Sequence, residues 1–356
     1  MHLRNPYGKL GFLIGLAISA WLTYKKFEAA RLVGLEISLT LSDGFDYGAH
    51  ADQLILYNDE LKYLTWFVFR SDHIFNFSLP EGLFNINLYG YFLSGLYISL
   101  GDWRPLFALG ILYYFYFLVS VRRLAERLFP ARYRDFLLFF IAISPTVIEL
   151  SSGFMRDLLL HAFIARAILA LIDRRLVAFL CFAVLIASMR SFYLILLMPV
   201  FYYAYSKSLS RAVVLACVCL ALSVVLIINI DFGRRDFLEV GYRIVELFFG
   251  VSQVLLDPGG HPPFSPGAFE FYSAVQYFVV CQVFFMLVLW RKFRVNREFS
   301  LILITGLTLA LFYGYSLGFF VPRTKLIFYL AMLFGLTKLV LGERSRRWKR
   351  WRIDEH

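Results

Sequence analysis

Charge is scarce in this chain. Asp, Glu, Lys and Arg make up 17% of its 356 residues, against about 25% in an ordinary soluble domain. So few ionised groups cannot clothe a water-facing globule of this size, and a soluble single-domain fold is excluded. Cysteine is scarce as well. Cys181, Cys217, Cys219 and Cys281 all fall inside apolar segments, so they read as small buried hydrophobes and not as a disulfide framework or a metal set. The signatures of common soluble enzymes are missing: no Walker loop, dinucleotide fingerprint, HExxH helix or serine elbow occurs. No repeat of about 20–50 residues is visible, which excludes solenoids and propellers. A cleavable leader is not expected either. Leu10–Tyr24 follows the basic residues Arg4 and Lys9, but Lys25-Lys26 stands where a small-residue cleavage site would be needed.

What is present is apolar. Hydrophobic residues reach 60%, with 39 Phe and 22 Tyr, and mean hydropathy is +0.67. The pattern predicts an all-α polytopic membrane protein with about ten transmembrane helices, organised as one membrane domain over 1–356. The expected spans are 10–24, 106–121, 135–149, 157–172, 176–189, 191–205, 212–229, 272–290, 299–320 and 326–341. With the N-terminus in the cytoplasm, 21 of the 36 Lys and Arg fall on the cytoplasmic side and only seven of the 25 acids do. That asymmetry is the reason to expect both termini inside. It also explains the net charge of +11 without nucleic acid, since the bases sit in short clusters between apolar runs. Phe84–Leu100 is apolar enough to span, but counting it would turn RRLAERLFPARYR outward, so it is expected to lie on the outer face. Two long outer loops then result, 27–104 and 230–271; in the second, Asp257 to Gly267 is too rich in Pro and Gly for a regular element.

Several polar residues stand out against this background. Asp43 and Asp46 follow the first span three residues apart, and share a face if a helix begins there. Beside apolar walls such a carboxylate can act as a general base or help to hold a divalent cation; the plainer alternative is a helix cap. His50 and Asp52 come one turn later, as an acceptor site or as a solvated face. Arg156 and Asp157, Arg190, and Arg323 with Lys325 fall at the outer ends of three different hairpins. Cations are disfavoured on that side, and guanidinium groups suit a phosphate or pyrophosphate clamp; snorkelling to headgroups is the alternative. Arg166 lies mid-span, five residues after His161, where a charge is by default functional; Glu149 or Asp157 on a neighbouring helix is a candidate partner for it. Arg234, Arg235 and Arg243 are weaker additions, and His261 reads as a turn residue.

With these residues in view, the chain resembles the GT-C superfamily of integral-membrane glycosyltransferases. The similar stretches are D-G-F-D-Y-G-A-H-A after the first span, N-L-Y-G-Y-F-L-S-G-L-Y-I-S-L-G-D-W-R-P-L-F, I-S-P-T-V-I-E-L-S-S-G-F-M-R-D, and the late F-V-P-R-T-K-L-I-F. Without an appended soluble domain, and without the protein-mannosyl or oligosaccharyl motifs, it is most similar to O-antigen and exopolysaccharide polymerases. The resemblance implies a bacterial inner-membrane enzyme that takes a sugar or repeat unit from a polyprenyl-phosphate or -pyrophosphate donor and passes it to a glycan acceptor. It implies Asp43 or Asp46 as the catalytic acid group, and Arg156, Arg190, Arg323 and Lys325 as donor-phosphate ligands. His50, Asp157 and Arg166 come second as acceptor-site candidates. Mg2+ or Mn2+ is compatible with two acids but lacks a firm third ligand, and the arginines alone can neutralise the leaving group. The rival class is a transporter or flippase for a lipid-linked glycan, for which internal pseudo-repeats and broken helices are expected; neither shows in the sequence.

Overall fold

The computed structural model describes residues 6–33, 104–153, 156–189, 193–206, 266–290, 300–305 and 326–338 apart from 328, with scattered positions in 89–100 and 211–218. The described residues are almost entirely helical and include no strand. In chain order the helices are α1 (Pro6–Val33), α2 (Ala108–Leu128, led in by a 3-10 turn Arg104–Phe107), α3 (Ala131–Ala142), α4 (Pro145–Ser151), α5 (Arg156–Ile172), α6 (Leu176–Met189), α7 (Tyr193–Ser206) and α8 (Pro266–Trp290). Residues 300–305 and 326–338 are also helical. Among the described residues one helix, Pro105–Leu128, is long and apolar enough to cross a membrane.

Proline sets two of the boundaries. Pro130 forces Phe129 into an extended conformation (φ −135°, ψ 146°), which ends α2, and α3 starts directly after it. Pro145 does the same to Ser144 (φ −60°, ψ 127°), then serves as the first residue of α4. The segment expected as a single span over 135–149 is therefore two helices, α3 and α4, broken at Ile143-Ser144. Two further boundaries differ from expectation. Helix α1 runs on to Val33 and takes up residues that were assigned to the first outer loop, because Lys25, Lys26 and Glu28 are good helix formers once the apolar stretch has nucleated the helix. Helix α8 starts at Pro266, inside the Pro-Gly stretch, because proline is well suited to a first helical turn.

The turn between α5 and α6 has another cause. Arg175 N–H donates to the Ala170 carbonyl (2.8 Å) and Arg174 N–H to that of Leu171 (3.2 Å), the double bond pattern of a Schellman stop. The left-handed position falls on Arg174, with φ 57°. Glycine is the usual residue there, and a side chain costs roughly 1–2 kcal/mol.

Side-chain contacts fix the direction of each helix. Ser120–Arg166 and Arg127–Asp173 link α2 to α5 at one shared offset of 46 residues, so these two helices run parallel. The chain between them must then cross back, which α3 and α4 do. Gly11 meets Phe139 and Gly15 meets Ala142, so α1 runs parallel to α3. Phe12 stacks near Tyr114 while Phe27 meets Phe107, so α1 opposes α2. Arg156 reaches Met189 and Phe163 meets Phe182, so α5 opposes α6. Ser144 binds Gln276 of α8 at 2.7 Å and also the hydroxyl of Tyr329, and Cys281 meets Met332 at 3.6 Å. Helix α8 and helix 326–338 are thereby parallel and seated on the α3–α4 break.

Small residues let the helices approach this closely. A methyl group at Gly11 would lie 2.7 Å from the Phe139 backbone. At Gly15 it would overlap the Tyr114 hydroxyl and the Ala142 carbonyl, which are already bonded to each other at 2.9 Å. At Gly110 it would overlap the carbonyl oxygens of Ser151 and Gly153. With Ser19 one turn beyond Gly15, this is the small-residue spacing of helices that associate by close backbone approach. The large buried side chains, Tyr114, Phe117, Ile141, Ile148, Tyr193 and Phe334, fill the interior. The outward faces are apolar too: Leu13 and Trp21 of α1, Leu112 and Phe115 of α2, Phe136 of α3, Val177, Leu180 and Val184 of α6, and Met286 of α8 are all exposed. Cys281 is buried as expected, whereas Cys181 lies on the exposed side of α6; Cys217 and Cys219 lie outside the described residues.

Candidate functional site at the far end of α5

The bundle has two chemically different ends. At one, which we call the basic end, α2, α3 and α5 bring together Arg122, Arg123, Glu126, Arg127, Arg134, Asp135 and Asp173. Arg127 and Asp173 pair at 2.8 Å. Glu126 takes Arg122 at 3.1 Å and Arg134 at 3.3 Å, and Arg134 Nε also donates to Asp135 at 3.0 Å. Two basic clusters expected on one side of the bilayer, 122–134 and 174–175, thus share an end.

The far end carries a different set. Helix α5 begins there with Arg156 and Asp157, and His161 follows Asp157 by four residues, which puts the two on one helical face. All three are buried: Arg156 is 9%, Asp157 4% and His161 1% exposed. An acid in the first turn of α5 is favoured by the partial positive charge at that terminus. Arg156 turns away from its own helix. Its Nη1 donates to the Met189 carbonyl at 2.8 Å. Met189 is the last residue of α6, where carbonyls lack intrahelical partners and the helix dipole favours a cation. One of five guanidinium donors is therefore committed to joining α5 to α6.

Helix α4 supplies the floor. Ser151 Oγ donates to the Ile148 carbonyl at 2.7 Å and lies 2.6 Å from Ser19 Oγ of α1; Ser152 Oγ donates to the Glu149 carbonyl at 2.6 Å. Ser144, Thr146, Ser151 and Ser152 are all buried, and Glu149 is half-buried. The stretch from Ser144 to His161 thus holds eight polar or charged side chains that are buried or half-buried: Ser144, Thr146, Glu149, Ser151, Ser152, Arg156, Asp157 and His161. Sequence reading singled out Arg156 and Asp157, but gave the serines no role. Their spacing from the Pro145 break was the signal available.

Arg166 belongs elsewhere. It sits ten residues beyond Arg156 on the same helix, about 15 Å along the axis. Asp157 is likewise on its own helix, nine residues away, so that acid is not the neighbouring-helix partner expected for it. Its partners are on α2: Nε donates to Ser120 Oγ at 3.1 Å, and the guanidinium lies over the Tyr116 ring, 5.7 Å from its centre. Asp43, Asp46, His50, Arg190, Arg323 and Lys325 lie outside the described residues, and with the two acids any place for the Mg2+ or Mn2+ ion they are compatible with. Among the described residues no three His, Cys, Asp or Glu side chains group as metal ligands.

Compared with protein-family models, with curated proteins and with solved structures, the chain matches none of them.

Proposed function

We propose that this chain is a multi-pass protein of the bacterial cytoplasmic membrane, with about ten spans and both termini inside, that transfers a sugar or repeat unit from a polyprenyl-(pyro)phosphate donor during surface-polysaccharide assembly. The membrane part of the reading is supported by the apolar outward faces of α1, α2, α3, α6 and α8. Alternating helix directions and the shared basic end support the orientation, with the basic end cytoplasmic. The observation that carries the enzymatic part is the buried group Arg156, Asp157 and His161 at the far end. Charges withdrawn from water cost several kcal/mol each, and inside a membrane bundle they mark a working site by default.

In this reading the donor's lipid tail lies among the spans and its phosphates meet cations at the outer face. Arg156 is one of these, joined by Arg190, Arg323 and Lys325. Asp43 or Asp46 takes the proton from the acceptor hydroxyl as the glycosidic bond to the donor phosphate breaks. The cations hold the negative charge that grows on the departing phosphate, so rate comes from charge complementarity developed along the reaction. Asp157 and His50 flank the acceptor. Purified protein reconstituted with a lipid-linked repeat unit should give a ladder of products. Asp43→Asn and Asp46→Asn, tested separately at normal protein levels, should include at least one variant that makes none; normal ladders from both would remove the catalytic assignment.

A second reading has one observation in its favour. The α3–α4 break at Ile143-Ser144 is the kind of discontinuous helix that transporters use around a substrate. A flippase for a lipid-linked glycan would move labelled donor across the bilayer in the absence of acceptor, and the transferase would not.

A further inference from the structure

We propose a second anion site, at the basic end, where Arg123 and Arg166 bind a phosphoryl group in the notch between α2 and α5. Tyr116, Ser120, Arg123 and Arg127 follow one another at intervals of three and four, so they form one stripe along α2. Arg166 and Asp173 form the matching stripe on α5, in the register set by the Ser120–Arg166 and Arg127–Asp173 contacts. Every described acid at this end already has a cation: Glu126 has Arg122 and Arg134, Asp135 has Arg134, and Asp173 has Arg127. Neither Arg123 nor Arg166 has a carboxylate among the described residues. Arg123 lies one turn along α2 from Ser120, the residue to which Arg166 is bonded. Two like charges one turn apart on facing helices, with no acid of a described residue between them, call for an anion.

The guanidinium of Arg166 is held in place. Ser120 Oγ gives its proton to the Tyr116 carbonyl at 2.8 Å, which leaves its lone pairs to accept from Arg166 Nε at 3.1 Å. Tyr116 lies beneath the guanidinium plane. The guanidinium also has a side-chain hydrogen bond to Tyr116, and the side chain is only half-buried. Its remaining N–H groups are the kind of donor that suits phosphate. Plain snorkelling does not account for this. Side chains on α5 lean toward its N-terminus, away from the basic end, so the side chain does not stretch toward water there. Arg166 lies seven residues, about 10 Å, from Asp173, a depth at which a headgroup phosphate meets the notch from the inner leaflet. The lipid source of the phosphoryl group rests on the membrane reading above; the notch itself does not depend on the transferase reading.

The test uses the full chain purified in detergent. Native mass spectrometry would follow binding of phosphatidylglycerol, with and without millimolar inorganic phosphate as competitor. The wild type is expected to bind the lipid, and Arg123→Gln with Arg166→Gln to weaken it at least tenfold, while Arg127→Gln leaves it unchanged. Arg166→Lys, which keeps the charge but loses the planar set of donors, should fall between. Competition by inorganic phosphate would assign the phosphoryl group alone; resistance to it would assign a lipid headgroup. If Arg166→Gln does not fold, the exposed Arg123→Gln decides by itself. Equal binding of lipid and of phosphate by wild type and variants overturns the proposal. Recovery of the chain in buffer without detergent would instead overturn the membrane reading, and phosphate binding could then be measured in that buffer.

Discussion

The two ends of the bundle use charge in opposite ways. At the basic end, arginines and acids alternate across α2, α3 and α5, most of them at least partly open to solvent, and each acid is neutralised by a neighbour within 3.3 Å. Exposed pairs of this kind contribute roughly 0–1 kcal/mol. They mark a boundary more than they hold a fold. At the far end, Arg156, Asp157 and His161 are buried among apolar helices, where removing an ion from its surroundings has large consequences. The difference teaches that number of charges is a poor guide to importance here. Among the described residues, the end with fewer of them is the one where each is expected to matter.

The comparison can be broken most forcefully at Gly110. A larger side chain there collides with the Ser151 and Gly153 carbonyls, which are backbone and cannot swing aside. Gly110→Leu should cost on the order of 3 kcal/mol or more and remove most of the folded protein, read by fluorescence-detected size-exclusion chromatography. If it folds normally, the far end is looser than described and its buried charges lose their significance. Next comes Asp157→Asn, which keeps the shape and removes the charge. Product formation should fall about a hundredfold or more with folded yield retained; unchanged activity would put Asp157 outside the site. Arg156→Met should lower stability by about 1.5–3 kcal/mol, the usual value of a hydrogen bond to a charged group, because the α6 terminus loses its donor. Thermal unfolding in detergent measures that. The smallest effect is expected at the opposite end: Arg127→Gln should change stability by less than about 1 kcal/mol, and the change should vanish in high salt. A large, salt-resistant loss would mean that the two ends are energetically alike.

Much of the scaffold was legible in the residues alone, where polar punctuation is dense. The spans expected at 157–172 and 176–189 lie within a residue of α5 and α6 because Arg156-Asp157 and Asp173-Arg174-Arg175 bracket them. The α3–α4 break was missed although Pro145 announces it, since an average over apolar residues hides one proline among Ile, Val and Leu. The ends of α1 and α8 were missed because hydropathy detects what lipid tolerates, and a helix can continue into polar residues. Arg166 stands out in the sequence as a charge inside an apolar run, but its partners do not. Ser120 and Tyr116 carry no charge, and only the register between α2 and α5 discloses them. The far-end hydroxyls are similarly silent: Ser19 and Ser151 are 132 positions apart, a pairing no local pattern can express.

One small feature of the α5–α6 turn has a consequence for biogenesis. Arg174 occupies a left-handed backbone position that glycine would fill without strain. Arg174→Gly should therefore make the finished protein slightly more heat-resistant, by about 1 kcal/mol. If the chain lies in the membrane as proposed, the same change deletes a cation from the three-residue turn that joins α5 to α6, where the insertion machinery senses which way a newly made hairpin should face. In that reading the glycine variant should accumulate a minority of inverted hairpins, detectable by protease access to the loop.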